Sequence, residues 1–181
     1  MKEKQYTKLF VDLLEKRGWK FREATKHEDM YEHIDGHVTV CDDKGKAICG
    51  FSVDLKGDKY TSRRNEGLEQ CLCQYVEFLN VRGSKGWLFG KADYIAILNE
   101  AQNGFYVVAR QKIIEFCEEL FKVKLEGSAS HIRHELNDRH CWTESVDCAM
   151  HRLYRRYDRP DEAVCQINMD DIKLIVKMEI K

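Results

Sequence analysis

Residues 32–57 read EHIDGHVTVCDDKGKAICGFSVDLKG, and they constrain the chain more than any other stretch. Two runs of strand character, His33 to Cys41 and Ala47 to Lys56, flank the polar segment Asp42-Asp43-Lys44-Gly45-Lys46. A glycine where a turn needs positive φ, set between two such runs, predicts a β-hairpin. Strand alternation puts Asp54 and Lys56 on one face and Phe51, Val53 and Leu55 on the other. An acid and an ammonium at the end of an apolar strand are costly to bury without partners or a task. If the arms pair, Asp35 approaches Asp54, and two acids and a lysine meet at one spot. Two converging carboxylates make a hard oxygen site suited to Mg²⁺. A lysine beside them can orient or deprotonate a water, or balance charge on a phosphate. The plainer alternative is a surface hairpin with charges at its end, because Asp-x-Lys is a common triplet.

Glu28, Asp29 and Glu32 are alternatives to Asp35 as the first acid. Asp35 is preferred because Ile34, Val38 and Val40 set it in a strand pattern rather than a loop. His33 and His37 share its face; they can touch a phosphate or simply be solvated.

The order helix, IDGHV, strand ending VDLKG, helix, strand resembles the PD-(D/E)XK nuclease superfamily. The similarity runs from about Tyr6 to Phe121, and Ile34 stands where the motif has its proline. The resemblance implies an α/β protein: a restriction-endonuclease-like mixed β-sheet core flanked by α-helices. It implies Asp35 and Asp54 as the acids and Lys56 as the lysine. Asp35, Asp54 and the Leu55 carbonyl would hold Mg²⁺, with Mn²⁺ able to substitute. The implied activity is phosphodiester hydrolysis, as a DNA endonuclease. The alternative is a non-catalytic nucleic-acid- or protein-binding module on the same fold. Many nucleases of this fold are dimers, so a homodimer stays open. Some relatives carry a further acid on the first helix; projection at 100° per residue favours Glu3 over Glu15 for that place.

Elsewhere the chain is read from periodicity. Lys4 to Arg17 predicts an amphipathic helix, with Tyr6, Leu9, Phe10, Leu13 and Leu14 as its stripe and Gly18 as its stop. Trp19 to Arg22 predicts a strand or extended entry. Glu66 to Leu79 predicts a helix on Leu68, Leu72, Tyr75, Val76 and Leu79. Asn80 to Gly90 is a glycine-rich turn without the P-loop pattern. Ala92 to Leu98 predicts a central strand, with Asp93 paired to a nearby cation. Phe105 to Ala109 predicts another strand and Arg110 to Phe121 a helix. Pro160-Asp161 predicts a turn, Ala163 to Asn168 a strand, and Asp170-Asp171 the cap of a short last element. Residues 1–125 are read as the nuclease-like core and 126–152 as a polar insertion or linker. Residues 153–181 are read as strand and helix elements completing the same domain.

Net charge is −1, so nucleic-acid binding needs a local patch rather than a global charge. Candidates for phosphate contact are Lys59, Arg63 and Arg64 behind the acid pair, Lys85 beside Trp87 and Phe89, and Arg155 and Arg156 in the basic run LYRRYDR. Each also reads as a solvated surface cation. His131, His134, His140, Cys141, Cys148 and His151 have ligand-like spacings, but the paired cysteines of a finger are missing, and an exposed insertion is preferred to structural zinc. The polar N-terminus has no export signal, and no apolar run reaches ~18 residues. The expectation is a cytoplasmic protein off the membrane, its eight scattered cysteines mostly reduced.

Overall fold

The computed structural model describes residues 3–57, 59–60, 72–138, 152–156 and 159–181. The protein is a mixed α/β chain whose sheets are flanked by helices. It divides into two compact units interleaved in sequence: Met1–Asp58 with Gly90–Arg110 and Ile175–Lys181, and Lys59–Phe89 with Gln111–Leu174. This division falls at positions other than the 125/126 and 152/153 boundaries expected from sequence.

The first unit holds helix α1 (Glu3–Lys16) and strands β1 (Lys20–Glu23), β2 (Gly36–Cys41), β3 (Ala47–Lys56), β6 (Tyr94–Asn99), β7 (Gly104–Ala109) and β10 (Met178–Ile180). They form a six-stranded mixed sheet in the order β1-β2-β3-β6-β7-β10. Only β3 and β6 run parallel. Phe10, Leu13 and Leu14 of α1 are buried in one cluster with Val38, Val53, Leu55, Ala96, Leu98, Phe105 and Val107. The Phe10 ring meets Phe21 and Phe105 edge-on, at 5.9 and 5.0 Å between centroids. The helix ends where Gly18 takes φ +71°. Trp19 N–H then bonds the Leu14 carbonyl and Gly18 N–H that of Glu15, which is a Schellman closure.

The β2–β3 hairpin follows from its turn chemistry. Asp42 Oδ1 accepts from Lys44 N–H at 3.0 Å and Lys46 N–H at 2.8 Å, and Gly45 takes φ +76°. At the other end of β2, Gly36 is required: a Cβ there would lie 2.1 Å from the Phe21 ring and 2.9 Å from the Arg22 carbonyl.

The second unit holds strands β4 (Lys59–Tyr60), β5 (Leu72–Leu79), β8 (Arg152–Arg156) and β9 (Arg159–Asn168), in the order β4-β5-β9-β8 and antiparallel throughout. Among the described residues its helices are α2 (Arg110–Phe121, whose first residue falls in the first unit), α3 (Ala129–Asp138) and α4 (Met169–Leu174). Ile113, Ile114, Cys117 and Phe121 form the buried side of α2. A 3₁₀ turn over Trp87–Phe89 buries Trp87 and Leu88.

Two expectations are corrected here, and a third segment gains an element. Leu72–Leu79 is a strand, not the second half of a helix over 66–79; residues 66–71 lie outside the described residues. The spacing of Leu72, Tyr75, Val76 and Leu79 fits a helix, but Gln74, Val76 and Phe78 also alternate and are all buried. Long pairing with β9 decides between the two periods. Within 126–152, read from sequence as a polar insertion or linker, Ala129–Asp138 is a helix. Ser128 Oγ caps it by accepting from His131 N–H at 3.1 Å, and Ile132 and Leu136 bury one face. Pro160 belongs to β9 rather than a turn, near the strand start where a missing N–H is tolerated. Strand β10 was not anticipated. Among the described residues no helix is long and apolar enough to cross a membrane.

Candidate functional site

Strand β3 carries the acid and the lysine, and the residue before β2 carries the second acid. Asp35 brackets Asp54 from both sides along β3. Its N–H bonds the Val53 carbonyl at 2.8 Å, and its Oδ2 accepts from Leu55 N–H at 2.6 Å. A residue's N–H and C=O leave a strand on the same side, so the Leu55 carbonyl points to the Asp35 side as well. Lys56 Nζ lies 2.5 Å from Asp54 Oδ1. Asp35, Asp54, Leu55 and Lys56 are therefore brought to one spot at the end of β3.

Asp54 is the unusual member. It is 2% exposed, and its Oδ2 is buried with no hydrogen-bond partner. Burial pushes its carboxyl up to about 7; Lys56 pulls it back down, and the Asp35 charge pushes it up further. A buried carboxylate with one oxygen unsatisfied is costly unless a proton or a cation completes it. Among the described residues no group of three or more His, Cys, Asp or Glu comes together as a metal cluster. The donor set here is two carboxylates and a strand carbonyl, all oxygen, the type that hard divalent cations take. The unsatisfied Oδ2 fits such an ion.

The segment before Asp35 is pinned on both sides. Residues Glu28–Glu32 form a π-helical turn that closes on His33 at φ +52°. Glu28 is held down to about 2 by Thr25 N–H and hydroxyl and by His37; Arg22 adds to this by charge. Its Oε1 is 2.9 Å from His37 Nε2, and its Oε2 accepts from Thr25 N–H at 2.7 Å. Glu32 accepts Lys91 Nζ at 2.7 Å, and its carbonyl accepts Lys91 N–H at 2.6 Å. Glu28 and Glu32, two of the three alternative first acids, are thus occupied as structural clamps, and His37 is engaged by Glu28; the third, Asp29, is exposed on the turn. His33 is half-buried beside the site. Burial lowers its pKa, and so does the Lys56 charge, against Asp29 and Asp35.

A latch not foreseen from sequence holds β3 to the start of β6. Ser52 N–H and Oγ both donate to Asp93 Oδ2 at 2.8 Å, and Asp93 N–H returns a bond to Ser52 Oγ at 3.0 Å. The Arg110 guanidinium, whose pKa is lowered by burial, feels the Asp93 charge. The expected cation is therefore present, but Ser52 takes the direct bonds. No sequence pattern marks Ser52 as the partner of a residue 41 positions away.

The proposed phosphate contacts are distributed differently. Lys59 belongs to β4, and Arg155 and Arg156 to β8, in the second unit. Lys85 Nζ sits over the Phe89 ring at 5.4 Å. Arg63 and Arg64 lie outside the described residues. So do His140, Cys141, Cys148 and His151, whereas His131 and His134 stand on α3. Glu3 opens α1.

No protein-family model, curated protein or solved structure matches the chain.

Proposed function

We propose that the protein is a metal-dependent nuclease that hydrolyses phosphodiester bonds, with DNA as its substrate. The observation that carries this reading is the buried, unsatisfied Asp54 Oδ2, with Asp35 around it and Lys56 on its other oxygen. The order β1-β2-β3 antiparallel, then β3 parallel to β6, with α1 packed on the sheet, supports a restriction-endonuclease-like core. The chain departs from that pattern at Leu72–Leu79, where strand β5 stands in place of the second half of the expected helix.

Asp35, Asp54 and the Leu55 carbonyl are the groups that would hold Mg²⁺ or Mn²⁺. The bound ion would supply Lewis-acid polarisation of the phosphate and stabilisation of the leaving oxygen. The chain's own residues prepare the rest. Leu55 N–H fixes the Asp35 carboxylate, so that acid is oriented before any ligand arrives. Lys56, partly open to solvent, can turn its ammonium from Asp54 to a water or a phosphate oxygen. His33, whose pKa burial lowers, stands at the edge of the same site.

Mn²⁺ binding followed by calorimetry at pH 8 tests the site without requiring a substrate. Wild type should bind, and Asp54→Asn should lose that binding at least tenfold, the scale of a deleted ligand charge. Equal binding by the two proteins would remove Asp54 from any metal site.

A further inference from the structure

Tyr31 stands four residues before Asp35, on the pinned π-helical turn, and it is 70% exposed. Met30 beside it is 54% exposed. Four residues of chain reach at most about 14 Å, so the ring lies within a few nucleotides' length of the acid pair. Its imidazole neighbour, His27, packs at 5.1 Å between centroids, tilted by 43°. At 70% exposure, Tyr31 leaves most of its side chain open beside this contact.

An exposed ring on a frayed loop would carry little meaning. This one is held at both ends, by Glu28 on Thr25 and His37 and by Glu32 on Lys91. The turn that presents it is π-helical and closes through a non-glycine residue in the left-handed region, both features that concentrate at functional sites. The same clamps remove an electrostatic objection. The segment reads as acidic, but Glu28 is paired with Arg22 and Glu32 with Lys91, which leaves the exposed Asp29 as the one acid of the turn outside these pairs. Lys26, exposed next to His27, offsets Asp29 in net charge. A polyanion approaching Tyr31 therefore meets a nearly balanced surface.

We propose that Tyr31, backed by His27, is a stacking ledge for one base of a single-stranded nucleic acid whose backbone reaches the acid pair. The ledge rests on the nuclease reading for its place beside the reacting phosphate. Stacking on an aromatic face is open to every base and requires an unpaired strand, so the ledge selects single-stranded or locally opened substrate over closed duplex.

The test is fluorescence anisotropy in EDTA, so that nothing is cut. The probes are a short labelled oligothymidylate, the matching oligouridylate, and a duplex of the same length. Tyr31→Ala should weaken single-strand binding about tenfold or more, Tyr31→Phe should stay within about twofold of wild type, and duplex binding should not change. Binding of either single strand supports the ledge, and their ratio tells DNA from RNA. The exposed position makes unchanged thermal melting the control for folding. Wild-type-like binding by Tyr31→Ala, equal losses in the Ala and Phe variants, or no single-strand binding by wild type would each overturn the ledge. Cleavage of the same probes with Mg²⁺ separates the two claims. Cleavage without a Tyr31 effect on binding leaves the nuclease and removes the ledge. Tyr31-dependent binding with no cleavage leaves the ledge and removes the nuclease.

Discussion

Asp54 is a buried carboxyl with one oxygen left without a hydrogen-bond partner. Its carboxyl sits near 7 because burial penalises the charge. The sign of the pH effect follows. In the unfolded chain Asp54 gives up its proton near 3.8, whereas the folded protein keeps it to about 7. The folded state therefore binds more protons across that window, and metal-free stability falls as pH rises through it. Below pH 4 the contribution is fully present; above 7 it is lost. Melting measured against Asp54→Asn should show wild type losing ground from pH 4 to 7, by on the order of a few kcal/mol. A flat difference would contradict the burial argument. Asp35, Asp54 and Lys56 were legible in the sequence because charge at the end of an apolar strand is conspicuous. The unsatisfied Oδ2 was not, since it depends on which neighbours arrive from β2. The Ser52–Asp93 latch was hidden for the same reason: short polar residues carry no periodic signal.

At the scale of elements, periodicity was read well where one period dominated. Helix α1, the β2–β3 hairpin, β6, β7 and α2 each have a single pattern and a turn or cap residue that agrees with it. Strand β5 failed because LCQYVEFL satisfies both periods, and only its pairing with β9 settles the choice. Helix α3 was missed because just two apolar residues, Ile132 and Leu136, mark its face among histidines and charges. Two variants test these assignments. Leu136→Ala should cost about 2–5 kcal/mol if α3 is a packed helix, against at most about 0.5 in a solvated linker. Chemical denaturation distinguishes these outcomes. Gly36→Ala forces a methyl into the Phe21 ring and should destabilise by about 1–3 kcal/mol. Pairing it with Phe21→Leu should recover part of the loss, and no recovery would place the strain elsewhere.

For the whole molecule, interleaving is the main feature sequence reasoning did not foresee. The chain leaves the first unit after β3 for β4 and β5, returns for β6 and β7, leaves again to build α2, α3, β8, β9 and α4, and comes back for β10. Such a path is invisible to local pattern, because each strand looks alike whichever sheet it joins. It also divides the chemistry proposed from sequence. The acid pair and lysine belong to the first unit, and the described phosphate-contact candidates to the second. Asp35, Asp54 and Lys56, which carry the proposed chemistry, all belong to the first unit. Nuclease activity is tested by cleavage of supercoiled plasmid and single-stranded DNA with Mg²⁺, Mn²⁺ or EDTA, run beside Asp54→Ala and Lys56→Ala. Cleavage should require the metal and fall by about 10² or more in each variant, with melting showing both still folded. Substantial activity in both variants, or cleavage unaffected by EDTA, would contradict the assignment.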